Sequence, residues 1–447
     1  MLLRFITSNF LSFKEATEFN TLTGDLRRFD NHVFKFRDLS LLKFSAIYGA
    51  NATGKSNLIR AIDYLRDAVI HEDLNELEVS LFKGNEDKCS CFEIEFIVNN
   101  EIFLYGFEIH KNKITSEYLY FSGIESKDIL IFDRVVEVKG KSKIIVNKKY
   151  LKPKKNQTLI EHYEEKISSN QLFLNLLEDV ELGKLSIDTN KVFNYIVKLQ
   201  IIFPSSRPTR LVSNLIKEQS FMNFCKDMLC NFDTGIKNLS IQDFSLKDYF
   251  GENEKEFIDE ITDELIDNEG SDYYLRTDMI ATLKNGLPII KKLYVEHVGF
   301  GPDNLFSFDE ESDGTKRLIE FMSMLYGLVV HTEENDVFII DEIGRSIHPH
   351  LLKKFLEKLT NERNIRGQLI FTTHEANLLD LNILRPDEIW FAEKNRDEGF
   401  TEFKTLSDFK KIRTDLNIRK GYFDGRFGGI PILANLEDLN WTEYATN

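Results

Sequence analysis

No apolar run of membrane-spanning length occurs in these 447 residues; the hydrophobic segments are short and broken by charges. A transmembrane helix and a membrane partner are therefore not expected. The start, MLLRFITSNFLSF, lacks the charged, apolar and small-residue regions of a secretory leader and alternates like a strand, so a cytoplasmic location is expected. Cysteine is scarce. Cys89, Cys91, Cys225 and Cys230 are too oddly spaced for a disulfide framework, and without a CxxC or paired histidines they predict reduced thiols rather than a metal centre. Positive charge is also in deficit. A formal net charge of -16 argues against a surface that coats nucleic acid generally, because phosphate binding relies on clustered Lys and Arg; contact with DNA would have to be local. No sustained heptad repeat or internal repeat is present, which excludes a long coiled-coil arm.

What is there reads as α/β. The length exceeds what one hydrophobic core usually organises, so two lobes are expected. After an N-terminal strand pair, the apolar run LLKFSAIYG feeds a glycine-rich turn. Leu58, Ile59, Ile62 and Leu65 then recur at helical spacing. Between Cys91 and Phe132, FEIEFIV, NEIFLYGFEIH and TSEYLYF predict an antiparallel meander. From about residue 155 to 270 the pattern turns mostly helical, broken at SRPTR near Pro208. From Leu287 strands and helices alternate again. The expected organisation is an N-terminal lobe over 1–135, an inserted, mostly helical domain over 136–284 and a C-terminal lobe over 285–447.

Two charge runs mark the insert. Lys139, Lys141, Lys143, Lys148, Lys149, Lys152, Lys154 and Lys155 share a window without acids, which fits a solvated hairpin or a contact with nucleic acid or a protein partner. The acid-rich run 252–272 places Phe257, Ile258, Ile261 and Leu265 on one helical face, fitting an exposed amphipathic helix or an acidic docking surface.

Four motifs carry chemistry. GANATGKS, residues Gly49, Ala50, Asn51, Ala52, Thr53, Gly54, Lys55 and Ser56, fits GxxxxGK[ST] between a strand and a helix, and with Asn57 it is the expected nucleotide-binding segment. Its backbone amides can cradle phosphates, Lys55 can reach the outer phosphate oxygens, and the Ser56 hydroxyl suits Mg2+. In VFIIDE an apolar strand ends in Asp341 and Glu342. Two carboxylates there suit a cation and an attacking water respectively. His374 closes the strand QLIFTTH, where it caps a sheet or bonds a terminal phosphate. In ESDGTKRL, Ser312 and Gly314 precede a helix, as an ordinary N-cap or as an anion site.

Together these motifs resemble the ABC-type ATPase heads of the SMC and RecF superfamily, in the order phosphate loop, insert, signature helix, acidic strand and switch histidine. More narrowly, NFLSFKE, IYGANATGKSNL, DEIGRSIHPHL, TTHEANLLD, EIWFAEK and GYFDGRFGGIPIL are similar to bacterial AAA family ATPases related to the overcoming-lysogenisation-defect proteins, which include ATPase subunits of abortive-infection and PARIS-type anti-phage systems. The resemblance covers roughly residues 1–135 and 285–447 and implies an ABC-type P-loop fold, split by an antiparallel subsheet and the insert. It implies ATP and Mg2+ as ligands, with Lys55, Glu342 and His374 catalytic and Ser56 and Asp341 on the metal. It also implies a head-to-head dimer in which Ser312 and Gly314 meet the partner's nucleotide and Ser346 lies in the loop coupling the heads. A separate effector, in the family a nuclease, is the implied partner. ESDGTKRL departs from the usual LSGGQ by Asp313, an awkward charge near a phosphate. A DNA-clamping repair ATPase and a nucleotide-bound scaffold with little turnover are the alternatives.

Overall fold

The apolar run Phe44–Tyr48 is buried along its whole length as a strand in the middle of a six-stranded sheet. In this computed structural model, the described residues are all except 25–27, 124–126, 138–139, 153, 179–181, 207–209, 233, 269, 302–303, 331–335, 410–416 and 431–447. Lys139, Pro208 and the final PIL of the closing motif thus lie outside the described residues.

The sheet runs Gln200–Ile202, Val337–Ile340, Gln368–Thr373, Phe44–Tyr48 and Ile389–Lys394 in parallel, with Thr401–Thr405 antiparallel at the edge. Strands covered on both faces need apolar residues at every position, which is why VFII and QLIFTT read as continuous runs. Parallel strands also finish on one side. Tyr48, Ile340 and Thr373 therefore deliver the segments that follow them to a single edge. The helix Lys55–Ile70 begins directly after the glycine-rich turn and buries Leu58, Ile59, Ile62 and Leu65, the face expected from spacing.

A seven-stranded sheet, wholly antiparallel, holds the expected meander as Ser90–Val98, Glu101–His110 and Lys113–Phe121. Its two-residue turns use Asn99 and Asn100, then Lys111 and Asn112, all at positive φ, the backbone that lets tight hairpins follow strand twist. Helical segments of residues 154–197 stay with this half of the molecule. One polar cluster shows how: Arg134 and Glu117, both fully buried, pair at 3.3 Å. Glu117 also accepts from the amides of Phe173 and Leu174, while Arg134 donates to the carbonyls of Ser168 and Gln171. Burial pushes the Glu117 carboxyl up, against the pull of Arg134. Arg134→Met should therefore cost about 3–5 kcal/mol, because it strands a buried carboxylate. Urea unfolding checks this, and a loss below about 1 kcal/mol would contradict the assigned role.

The chain divides into two compact units: Met1–Ile202 with Asn335–Ile343 and Gly367–Asn447, and Phe203–Glu334 with Gly344–Arg366. The expected boundary at 135/136 falls inside the first, and that at 284/285 inside the second. The strand Gln200–Ile202 explains the first difference, since it pairs with Val337–Ile340 and ties the preceding helices to the parallel sheet.

In the second unit, Ile236–Ser245, Leu287–His297, Met279–Lys284 and Tyr273–Arg276 form an antiparallel sheet, joined by Phe306–Ser307. The helix Lys255–Asp267 lays Ile258, Ile261 and Leu265 on Met279, Ala281 and Ile290 of that sheet, leaving its acids outward. A stretch expected to be mostly helical therefore carries a sheet as well. In the first unit, Lys141, Lys143, Lys148, Lys149, Lys152, Lys154 and Lys155 are exposed, on the edge strand Ser142–Val146 or close to its ends.

Candidate nucleotide site

Between Tyr48 and Lys55 the chain turns through backbone that side chains resist. Ala52 and Gly54 sit at φ 64° and 99°. At Gly54 a Cβ would also press within 2.7 Å of Ser12 Oγ, so glycine is required there on two counts. Thr53 Oγ1 donates to Ala50 O at 2.9 Å and braces the loop from inside. Asn51 and Ala52 stay exposed at its tip, while Ser56 and Asn57 open the helix, whose first amides have no partner within it.

Lys55 is only 4 % exposed. Its ammonium donates to Gly49 O and Ala50 O at 2.9 and 2.8 Å, folding the side chain across the loop. Burial lowers its pKa to about 8, against the opposing pull of Asp341 and then Glu342. A buried cation beside the first amides of a helix suits a phosphate chain.

Asp341 arrives from Val337–Ile340, which is separated from Phe44–Tyr48 by the strand Gln368–Thr373. Ser56 Oγ donates to its Oδ1 at 3.0 Å, and Thr372 Oγ1 donates to the same oxygen at 2.6 Å. Thr372 also accepts the Glu342 amide at 2.8 Å, so one hydroxyl ties the two acidic residues to the next strand. Glu342 sits at φ 51°, a left-handed backbone that glutamate rarely adopts and that turns its half-exposed carboxylate toward His374, with Oε1 3.9 Å from Nε2. His374 Nδ1 lies 3.5 Å from Lys55 Nζ. Partial burial first, then the Lys55 cation, keeps the imidazole below its ordinary pKa. The ring thus stands between the Lys55 ammonium and the Glu342 carboxylate and also bonds the Gly49 backbone.

The structure thus brings Gly49, Ala50, Asn51, Ala52, Thr53, Gly54, Lys55, Ser56, Asn57, Asp341, Glu342 and His374 together within the first unit. Ser312 and Gly314 belong to the second. Ser312 caps the helix Asp313–Val329, accepting the Thr315 amide at 3.2 Å. Gly314 faces the Ser346 carbonyl so closely that an added Cβ would lie 2.6 Å from it. Ser346 itself has φ 63°.

Sequence reasoning missed three supports. Thr372 is one; its only signal was a hydroxyl residue near the end of a buried run. A second is the bridge behind Gly54: Thr401 Oγ1 lies 2.7 Å from Ser12 Oγ and 2.9 Å from Thr53 O, and Asn57 donates to Ser12 Oγ at 2.8 Å. The third is the closing segment. Helix Ile418–Phe423 and Ile430 share a cavity of about 600 Å3 with Gly49, Ala50, Asn51 and His374. The glycines of GYFDGRFGG were the available sign of close backbone packing.

Mg2+ and ATP fit what is present. Ser56 and Asp341 offer hard oxygen ligands 3.0 Å apart. Among the described residues no group of three or more His, Cys, Asp or Glu could form an all-protein cage. Such a pair suits a cation that keeps its waters and phosphate oxygens.

No curated protein sequence matches the chain. Among solved structures it is similar to the SMC head domain from Thermotoga maritima, with 12% identity and a TM-score of 0.39 over 90% of this chain and 98% of that one. It is likewise similar to an Smc head bound to the C-winged helix domain of ScpA, with 11% identity, a TM-score of 0.43 and 90% and 97% of the two chains covered. A third is the Smc head domain with an extended coiled coil bound to the C-terminal domain of ScpA, derived from Pyrococcus furiosus, with 12% identity, a TM-score of 0.39 and 95% and 98% covered. The family described as "AAA domain, putative AbiEii toxin, Type IV TA system" matches residues 44–380, and with most of its length inside that match the chain belongs to this family of AAA-domain nucleotide-binding proteins.

Proposed function

We propose that this chain binds Mg-ATP on Gly49 to Ser56 and hydrolyses it when two copies meet head to head, and that this cycle controls a separate effector protein, a nuclease, in defence against phage. The observation that carries the reading is the contact of Ser56 and Thr372 with one oxygen of Asp341, beside a buried Lys55. It couples the phosphate loop to the acidic strand.

When bound, Mg2+ neutralises the polyphosphate and draws electrons from its terminal phosphorus. Ser56 and Asp341 hold it, Asp341 being kept in place by Thr372. Lys55 exchanges its two loop carbonyls for phosphate oxygens. Glu342 takes a proton from the attacking water on its carboxylate as the water oxygen bonds to phosphorus and the bridge to the diphosphate breaks. His374, neutral, donates toward the terminal phosphate or the water. In this scheme Ser312 of each copy completes the site of the other, with Gly314 letting the cap approach closely.

The head-to-head reading has a direct test. Lys55→Ala and Ser312→Arg copies should each be inactive in phosphate release, and a mixture should regain hydrolysis, because one hybrid site keeps both intact residues. If both folded variants stay silent when mixed, the composite site is wrong.

A further inference from the structure

Among the described residues the closing segment contributes no strand to the six-stranded sheet, yet Ile418–Ile430 is fixed beside the phosphate loop. Phe391 stacks on Tyr422 and on Phe427, with ring centres 5.7 and 5.5 Å apart, and Phe409 meets Phe427 edge-on. Tyr422 donates its hydroxyl to Gly429 O at 3.0 Å. Gly429 runs so near the loop that an added Cβ would lie 3.4 Å from the Cα of Gly49. Aromatic packing of this extent holds helix Ile418–Phe423 in place as one wall of the cavity.

That cavity opens at the Gly49 to Asn51 end of the loop, beside His374. Its lining takes His374, whose ring touches the tip of Lys55, and leaves out Thr53, Lys55, Ser56, Asp341 and Glu342. The lysine of such a loop reaches the outer phosphate oxygens, whereas the inner phosphates sit on the amides at the helix start.

Arg419 is the one arginine or lysine in that lining, which also holds Glu375. It is exposed, its guanidinium carbon stands 5.9 Å from the Phe423 ring, and it has no ion-pair partner among the described residues. Without it, the carboxylate of Glu375 would oppose any anion entering from the loop.

We propose that Arg419 contacts the terminal phosphate of a nucleoside triphosphate held on Gly49 to Ser56, so that the C-terminal helix distinguishes triphosphate from diphosphate. The inference rests on the ATP-binding reading above. A guanidinium presents two parallel N–H groups to phosphate oxygens, a geometry that lysine cannot copy.

The test titrates the full chain, with Mg2+, against a fluorescent non-hydrolysable ATP analogue and against fluorescent ADP. Arg419→Ala should weaken the triphosphate about tenfold or more, the effect of losing a charged hydrogen bond, with ADP affinity kept within about twofold. Retained ADP binding shows that the variant is folded. Arg419→Lys should fall between. Equal loss for both nucleotides, or no loss for either, overturns the proposal while leaving the ATP reading intact. Failure of the unaltered chain to bind either nucleotide overturns both.

Discussion

Lys55→Ala is expected to weaken ATP binding about a hundredfold or more, measured by titration with a fluorescent analogue. The side chain is buried, and its ammonium already spans the loop by donating to Gly49 O and Ala50 O. Replacing those two bonds with two to phosphate oxygens requires little reorganisation, and each charge-assisted bond is worth about 1.5–3 kcal/mol. Their joint loss corresponds to about two or more powers of ten in affinity. The pKa of about 8 adds a pH signature. Below that value the ammonium is present. As pH rises through it the free protein loses the cation, so wild-type affinity should decline above about pH 8, whereas the alanine variant should lack that decline. Unchanged affinity in Lys55→Ala would remove the loop from the nucleotide site.

The difference between what could be read in the sequence and what could not follows the range of the interactions. GANATGKS, VFIIDE and QLIFTTH are local patterns, and burial on both faces of a parallel sheet makes their strands mostly apolar. Their convergence followed from parallel order alone. Gln200–Ile202 had no such mark: three residues after a helical run become a strand only because Val337–Ile340 offers an open edge. Ile236–Ser245 was hidden differently, since a register shift between Ile236 and Asn238 disrupts the two-residue alternation that identifies a half-buried strand. Asn285 and Gly286, both at positive φ, form the turn between Met279–Lys284 and Leu287–His297, and the Asn-Gly pair was the local sign of a hairpin there. At the site, the hydroxyls of Ser12, Thr372 and Thr401 were unreadable for another reason. A hydroxyl residue has no periodic signature, and its partner is chosen by the fold.

Glu342→Gln should lower the rate of ATP hydrolysis by about two to four powers of ten while leaving ATP affinity close to normal. The amide keeps the shape of the carboxylate but cannot take a proton from water. Nor should it disturb the loop, because the amide of this residue is held by Thr372 and its φ of 51° sets the side chain's direction. Binding and turnover then separate, which distinguishes a proton acceptor from a residue that only shapes the site. The histidine opposite sets the acid limit. Burial and the Lys55 cation hold His374 below its ordinary pKa, so it is neutral at pH 7 and becomes an imidazolium only under more acidic conditions. Once charged it attracts the Glu342 carboxylate, 3.9 Å away, and competes with water for its oxygens. Wild-type turnover should accordingly fall as pH drops through that lowered pKa, with ATP still bound. Phosphate release measured across pH, alongside analogue binding, checks both limbs. A Glu342→Gln chain that hydrolyses at the wild-type rate would transfer the base's role to another residue.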